Sequence, residues 1–207
     1  MEHHNKNSPW YKYGLLFGFP NVSWTEKVTD YWLATPLNTI SNVFYFISAY
    51  FCNNNPSVSL ALSFVGLSSG LYHCSVIYPF QLMDLFSMKL LFSVMINQQL
   101  NTLFNFNNLY LIILINFINL YLLIKYNKTL QINSMLNILL IITTIPKYNY
   151  YFYLSLLSFL IGISNSFIDL KYKFIYGHSF WHFFSALSIY YWTIGLNINN
   201  NLLTFNG

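Results

Sequence analysis

The sequence is a succession of apolar runs, each about as long as a membrane-spanning helix. A helix that crosses a bilayer needs about 20 predominantly apolar residues, and polar or turn-forming residues separate these runs. The pattern predicts an all-α integral membrane protein built as a bundle of seven transmembrane helices. The predicted spans cover residues 36–52, 58–78, 81–98, 109–126, 131–146, 150–170 and 177–196.

The spans leave no room for a separate soluble domain. We expect a cytosolic amino-terminal segment over residues 1–35, the transmembrane domain over 36–196 and a short carboxy-terminal tail over 197–207. The first segment contains no apolar run of signal-peptide length. The first span is therefore expected to act as the targeting signal.

The lysines indicate the orientation, because cytosolic loops of membrane proteins are enriched in them. Seven spans leave Lys147 alone on one side, whereas seven lysines fall on the amino-terminal side. The amino terminus is therefore predicted to be cytosolic, with endoplasmic reticulum or Golgi as the expected membrane. Lys89 falls inside the third span, where a charge is costly, and its role stays open. The seven lysines on the amino-terminal side are Lys6, Lys12, Lys27, Lys125, Lys128, Lys171 and Lys173.

The composition supports a membrane environment and argues against nucleic acid as a partner. Only 7% of residues are charged and 56% are hydrophobic, whereas soluble domains carry about 25% charged residues. The chain contains no Arg, the residue that most often contacts phosphates and bases through two parallel hydrogen bonds. The bilayer itself is the expected surrounding of this chain.

Few ionisable residues lie inside the spans, and each is a functional hypothesis by default. His73 lies late in the second span, Asp84 early in the third, and His178 and His182 early in the seventh. The alternation of the spans places all four at the cytosolic end of the bundle. Asp169, at the end of the sixth span, is instead expected to pair with Lys171 or Lys173 on the surface.

The spacing of these residues indicates a metal site. His178 and His182 are four residues apart and so share one helix face, and Ser69 stands in the same relation to His73. Three His ligands with an open position are typical of catalytic zinc. The alternatives are histidines that hydrogen bond between helices and a serine that lines a packing face.

Four short motifs resemble those of the alkaline ceramidases, which belong to the CREST group of seven-helix membrane hydrolases. The resemblance extends from about residue 24 to residue 192. It implies that His73, His178 and His182 bind Zn²⁺ and that Ser69 and Asp84 complete the catalytic site. The motifs are NTISN at 38–42, SGLYH at 69–73, QLMD at 81–84 and GHSFWH at 177–182.

The resemblance also implies a calcium site before the first span, and here the sequence departs from the family. Trp24 and Glu26 match the family motif, while Ser23, Val28 and Thr35 stand where the family has ligands. Calcium needs several oxygen ligands. We therefore expect Ca²⁺ binding to be lost or weakened, unless Asp30 compensates.

The resemblance implies hydrolysis of the amide bond of ceramide, or of a related membrane lipid, to a sphingoid base and a free fatty acid. Asp84 is expected to act as the base, and Ser69 is expected to donate to the oxyanion. Two other functions stay open. One is a receptor-like or other lipid-hydrolase member of the same superfamily with little ceramidase turnover. The other is a proton or metal transporter. It is less favoured, because many transporters contain internal repeats and none is visible in this sequence.

Overall fold

The computed structural model describes residues 6–20, 25–104, 109–125 and 150–205, and each of these ranges contains at least one α-helix. These ranges contain no β-strand, so the prediction of an all-α protein is confirmed. The helices are α1 (Tyr11–Phe17), α2 (Pro36–Ser41), α3 (Val43–Phe51), α4 (Pro56–Ser75), α5 (Tyr78–Phe104), α6 (Leu109–Lys125), α7 (Tyr150–Tyr172) and α8 (Gly177–Phe205).

The helix bounds follow most of the predicted spans. α5 and α8 extend past their predicted ends at residues 98 and 196, so that most of the predicted tail belongs to α8. The first predicted span is divided into α2 and α3 at Asn42, whose side-chain Nδ2 donates to the carbonyl of Asn38 at 2.7 Å. Such local side-chain bonds compete with regular helix bonding. The fifth predicted span, 131–146, lies outside the described residues.

Two helical segments are long and apolar enough to cross a membrane. They are Tyr78–Thr102 and Tyr150–Tyr172, with mean hydropathies of 1.3 and 1.5. The others fall short for visible reasons, since α4 contains six serines and α6 has 17 residues in its described length. The seven-span bundle therefore stays a prediction.

Two prolines mark the starts of α2 and α4, and a residue with a left-handed backbone conformation marks the end of α4. Pro36 and Pro56 occupy the first turns of α2 and α4, where the missing N–H costs nothing. Val76 ends α4 with a φ of 49°. The chain then reverses, and α5 begins at Tyr78 and returns along α4.

The apolar core lies where α3, α4, α5 and α8 meet. Leu62 and Val65 on α4 pack with Leu91 on α5 and with Trp192 on α8. The outer surface is also apolar, because α6 exposes a row of large side chains. That row includes Tyr110, Leu114, Phe117 and Tyr121. Exposed apolar area of this extent is typical of a surface that contacts lipid or another protein.

Candidate metal centre

The three histidines singled out from the sequence form one buried group. His73 comes from the last turn of α4, and His178 and His182 come from the first turns of α8. Their side chains are 1%, 5% and 2% exposed. One ring nitrogen from each lies within 4.8 Å of the other two. The group could therefore hold a metal ion, as predicted. That the ion is zinc stays a prediction.

The geometry of the rings suits a single ion. Nε2 of His73 lies 3.0 Å from Nε2 of His178, and two ligands about 2.0–2.1 Å from a tetrahedral zinc lie about 3.3 Å apart. The three ring centroids are 4.5–5.0 Å from one another. The donor set consists of imidazole nitrogens, which zinc accepts readily.

His182 is held by the amino-terminal motif NTISN. Its Nδ1 lies 2.7 Å from Oγ of Ser41, and the Ser41 hydroxyl donates to the carbonyl of Asn38 at 3.0 Å. Because that hydroxyl has only one proton, it accepts from a protonated Nδ1 of His182. That tautomer leaves Nε2 with a lone pair for a metal, as in many metal sites.

His73 is held by the segment that precedes α2. The backbone N–H and the hydroxyl of Thr35 both donate to the carbonyl of His73, at 3.0 and 2.8 Å. Sequence reasoning noted Thr35 only as a lost calcium ligand, and it assigned no role to Ser41. The one available signal for Ser41 was its position inside the NTISN motif.

Asp84 and Ser69 meet across the hairpin of α4 and α5. The Ser69 hydroxyl hydrogen bonds to the Asp84 carboxylate, and both side chains are buried. Tyr45 lies near both His182 and this pair. Its ring centroid lies 5.8 Å from that of His182, and it is also within electrostatic range of Asp84.

Asp169 does not pair with surface lysines, so that expectation is wrong. Its side chain is 0% exposed. One carboxylate oxygen accepts from the backbone N–H of His178 at 2.9 Å, and the other accepts from the backbone N–H of Thr25 at 3.0 Å. Backbone N–H groups in the first turn of a helix have no acceptor within that helix and favour a carboxylate, and the N–H of His178 binds Asp169 in this way. Lys171 instead lies exposed over the ring of Tyr172.

Glu26 caps α2. Its two carboxylate oxygens accept from the backbone N–H groups of Leu37 and Asn38, at 2.6 and 2.9 Å. Burial raises the pKa of Glu26, and those two N–H groups oppose the rise. Trp24 and Ser23 lie outside the described residues. The weakened calcium site therefore stays a prediction.

Lys89 is buried in α5, with its side chain 2% exposed. Its carbonyl accepts from the hydroxyl of Ser93 at 2.9 Å, and that hydroxyl also lies 3.4 Å from Oδ1 of Asn116 on α6. Lys89 therefore sits on a polar strip between α5 and α6.

An apolar cavity lies close to His182 and is lined by its neighbour Trp181, although none of the three histidines lines it. Ser185, three residues after His182, lines it and shares a 2.7 Å hydrogen bond with the hydroxyl of Tyr45. Trp192 also lines it and donates to Oε1 of Gln99 at 3.2 Å. The ten residues from His182 to Trp192 correspond to about 15 Å of helix. Most other lining side chains are apolar, including Val65, Leu91, Met95, Phe152, Phe159 and Trp181.

No family model and no curated protein matches this chain.

Proposed function

We propose that the protein is a zinc-dependent membrane hydrolase that cleaves the amide bond of ceramide or a related membrane lipid. One observation carries the proposal. A buried group of three histidines lies close to an apolar cavity. The cavity-lining residue Ser185 donates to the carbonyl of His182 at 3.2 Å, so an apolar chain in the cavity would lie near the metal ion. The four motifs that resemble those of the alkaline ceramidases support this class of reaction.

His73, His178 and His182 are the proposed zinc ligands. Zinc at this position would supply an activated water near neutral pH and polarise the amide carbonyl. The hydrogen bond from Nδ1 of His182 to Ser41 would keep that ring oriented before an ion binds. The bonds from Thr35 to the carbonyl of His73 would fix the backbone that carries a second ring.

Asp84 and Ser69 are the proposed catalytic pair. Asp84 accepts a proton from the attacking water as the new C–O bond forms, and it delivers that proton to the amine as the C–N bond breaks. Ser69 donates to Asp84 while the carboxylate is charged. Once Asp84 carries the proton, the hydroxyl is released to donate to the oxyanion, a contact worth about 10²- to 10³-fold in rate.

The cavity is the proposed site for one hydrocarbon chain of the lipid. Its walls are largely apolar, and the large exposed side chains on the outer surface suit contact with lipid tails. The substrate would then reach the histidines from the bilayer without crossing water. This arrangement belongs to the proposed seven-span bundle in the endoplasmic reticulum or Golgi, with a cytosolic amino terminus.

The first experiment measures zinc and turnover on one preparation. The full chain is purified in detergent, its zinc content is determined, and release of fatty acid from ceramide is assayed before and after chelation. We expect about one zinc per chain and activity that chelation removes and added zinc restores. Zinc without turnover on any ceramide would favour the receptor-like alternative, and absence of zinc would refute the proposal.

Trp192 should limit the length of the chain that the cavity accepts. Replacing it with Phe shortens the side chain at one boundary of the cavity, so fatty-acyl chains longer than the wild-type optimum should be cleaved relatively better. One methylene in an apolar pocket changes kcat/KM by roughly 10- to 200-fold. The measurement is kcat/KM over a series of acyl lengths.

Trp10→Phe is the matched control for this prediction. Trp10 packs edge-on against Trp32, with ring centroids 5.3 Å apart, in the segment before α2. It is not among the residues that line the cavity. A Trp192→Phe profile identical to that of Trp10→Phe would contradict the proposed limit.

A further inference from the structure

The corner between α7 and α8 contains a buried carboxylate that the proposed chemistry does not use. Asp169 is 0% exposed, and its Oδ2 accepts from the backbone N–H of His178 at 2.9 Å. This N–H lies in the first turn of α8, where backbone donors have no acceptor within the helix. The carboxylate therefore fixes the backbone of a proposed metal ligand directly.

Gly177 allows this close contact. A Cβ atom at this position would lie 2.5 Å from the carbonyl oxygen of Asn165 and 2.6 Å from Cβ of Asp169. Real Cβ atoms do not approach other atoms so closely, so any side chain would move the start of α8 away from α7. The glycine before His178 thus keeps its N–H within reach of Asp169.

Asp169 also holds the segment that precedes the first long helices. The backbone N–H of Thr25 donates to Oδ1 of Asp169 at 3.0 Å, and the Thr25 hydroxyl donates to the Asp169 carbonyl at 3.0 Å. The next residue, Glu26, accepts from Leu37 and Asn38 at the start of α2. Two consecutive residues therefore join the α7–α8 corner to α2.

Residues of α2 also contact the start of α8, including its second proposed metal ligand, His182. Ser41 at the end of α2 lies 2.7 Å from Nδ1 of His182. Ser179, next to His178, donates to Oδ1 of Asn38 at 2.9 Å. A displacement of the α8 start would thus disturb both of its histidines.

We propose that Asp169 is a positioning residue that fixes His178 for metal binding and makes the segment Thr25–Glu26 part of the support of the metal centre. The inference rests on the proposed metal centre. Loss of such supporting contacts typically weakens metal affinity by 10- to 100-fold.

The test compares the metal affinity of wild type, Asp169→Asn and Gly177→Ala in the purified full chain. Asparagine keeps the size of the side chain but has one acceptor oxygen, so either His178 or Thr25 loses its partner. We expect the Kd for Zn²⁺, measured by competition with a chelator, to rise 10- to 100-fold in both variants. Co²⁺ bound in place of zinc should show shifted visible absorption bands, because the ligand geometry changes.

Two matched controls make the same types of substitution at other positions, and so test whether the loss of metal affinity is specific to Asp169 and Gly177. Asp30→Asn removes an exposed carboxylate in the same amino-terminal segment. Gly195→Ala adds a Cβ in the same helix at 3.4 Å from the ring of Phe152, an ordinary contact distance. Both controls should bind zinc and cobalt as the wild type does.

The outcomes distinguish this inference from the proposed function. Wild-type affinity and spectra in Asp169→Asn and Gly177→Ala would overturn the positioning role and leave the metal centre intact. Absence of metal from the wild type would overturn both. If Asp169→Asn fails to fold, the zinc affinities of Thr25→Val and Gly177→Ala test the positioning role instead. Weakened zinc binding at wild-type helicity supports the proposal, and unchanged binding overturns it.

Discussion

Replacing His178 with alanine should leave the purified protein with less than about a tenth of the wild-type zinc. The three rings supply the ligands of the proposed site, and Nε2 of His178 lies 3.0 Å from Nε2 of His73. Two imidazoles bind zinc far more weakly than three with a fixed orientation. The measurement is metal content by mass spectrometry after dialysis against a weak chelator.

His4→Ala is the control for this experiment. His4 is one of only five histidines, and it belongs to the amino-terminal segment rather than to a predicted span. Its replacement should leave the zinc content at the wild-type level. If His178→Ala retained full zinc while His4→Ala lost it, the ion would lie in the amino-terminal segment and the histidine group would have another role.

Sequence pattern predicts the helices because hydropathy is a local property. The spans at 109–126, 150–170 and 177–196 begin within one residue of the helices that the structure describes. The break at Asn42 was missed because the run from residue 36 to residue 52 is long and apolar enough on average to hide the polar residues at 38–42. It depends on one side-chain bond to Asn38, which an average over apolar residues does not detect.

The two histidines on α8 were predictable because their spacing is a local pattern, and His73 followed only from the predicted alternation of the spans. Four-residue spacing places His178 and His182 on one helix face, and alternation of the spans places His73 at the same end. The orientation of His182 by Ser41 was not predictable, since the two residues are 141 positions apart. Contacts at that separation follow from the packing of α2 against α8.

Asp169 shows how a local pattern can mislead. Two lysines follow it within four residues, which favours a surface ion pair of small value. In the structure Asp169 is buried, and its strongest contacts come from Thr25, 144 positions away, and from the first turn of α8. Hydrogen bonds from buried N–H groups outweigh exposed ion pairs, because a buried donor without a partner is costly.

Replacing Asp84 with asparagine should abolish amide hydrolysis while the zinc content stays at the wild-type level. Asparagine has nearly the same shape and can still accept a hydrogen bond from Ser69, but it cannot take the proton of the attacking water. General acid–base catalysis contributes about 10²- to 10⁴-fold, so kcat should fall by that factor with little change in KM. The measurement is steady-state kinetics on ceramide in detergent, with zinc determined on the same sample.

The matched control for Asp84→Asn is Ser69→Ala, which separates the two proposed roles. Alanine removes the oxyanion donor but leaves the base, so the loss should be about 10²- to 10³-fold, and the double variant should lose less than the product of the two. Residues that act as one unit are non-additive in this way, and the bond between Ser69 and Asp84 makes them such a unit. Wild-type turnover in Asp84→Asn with zinc bound would refute the base role. Loss of zinc in that variant would instead make Asp84 part of the metal site.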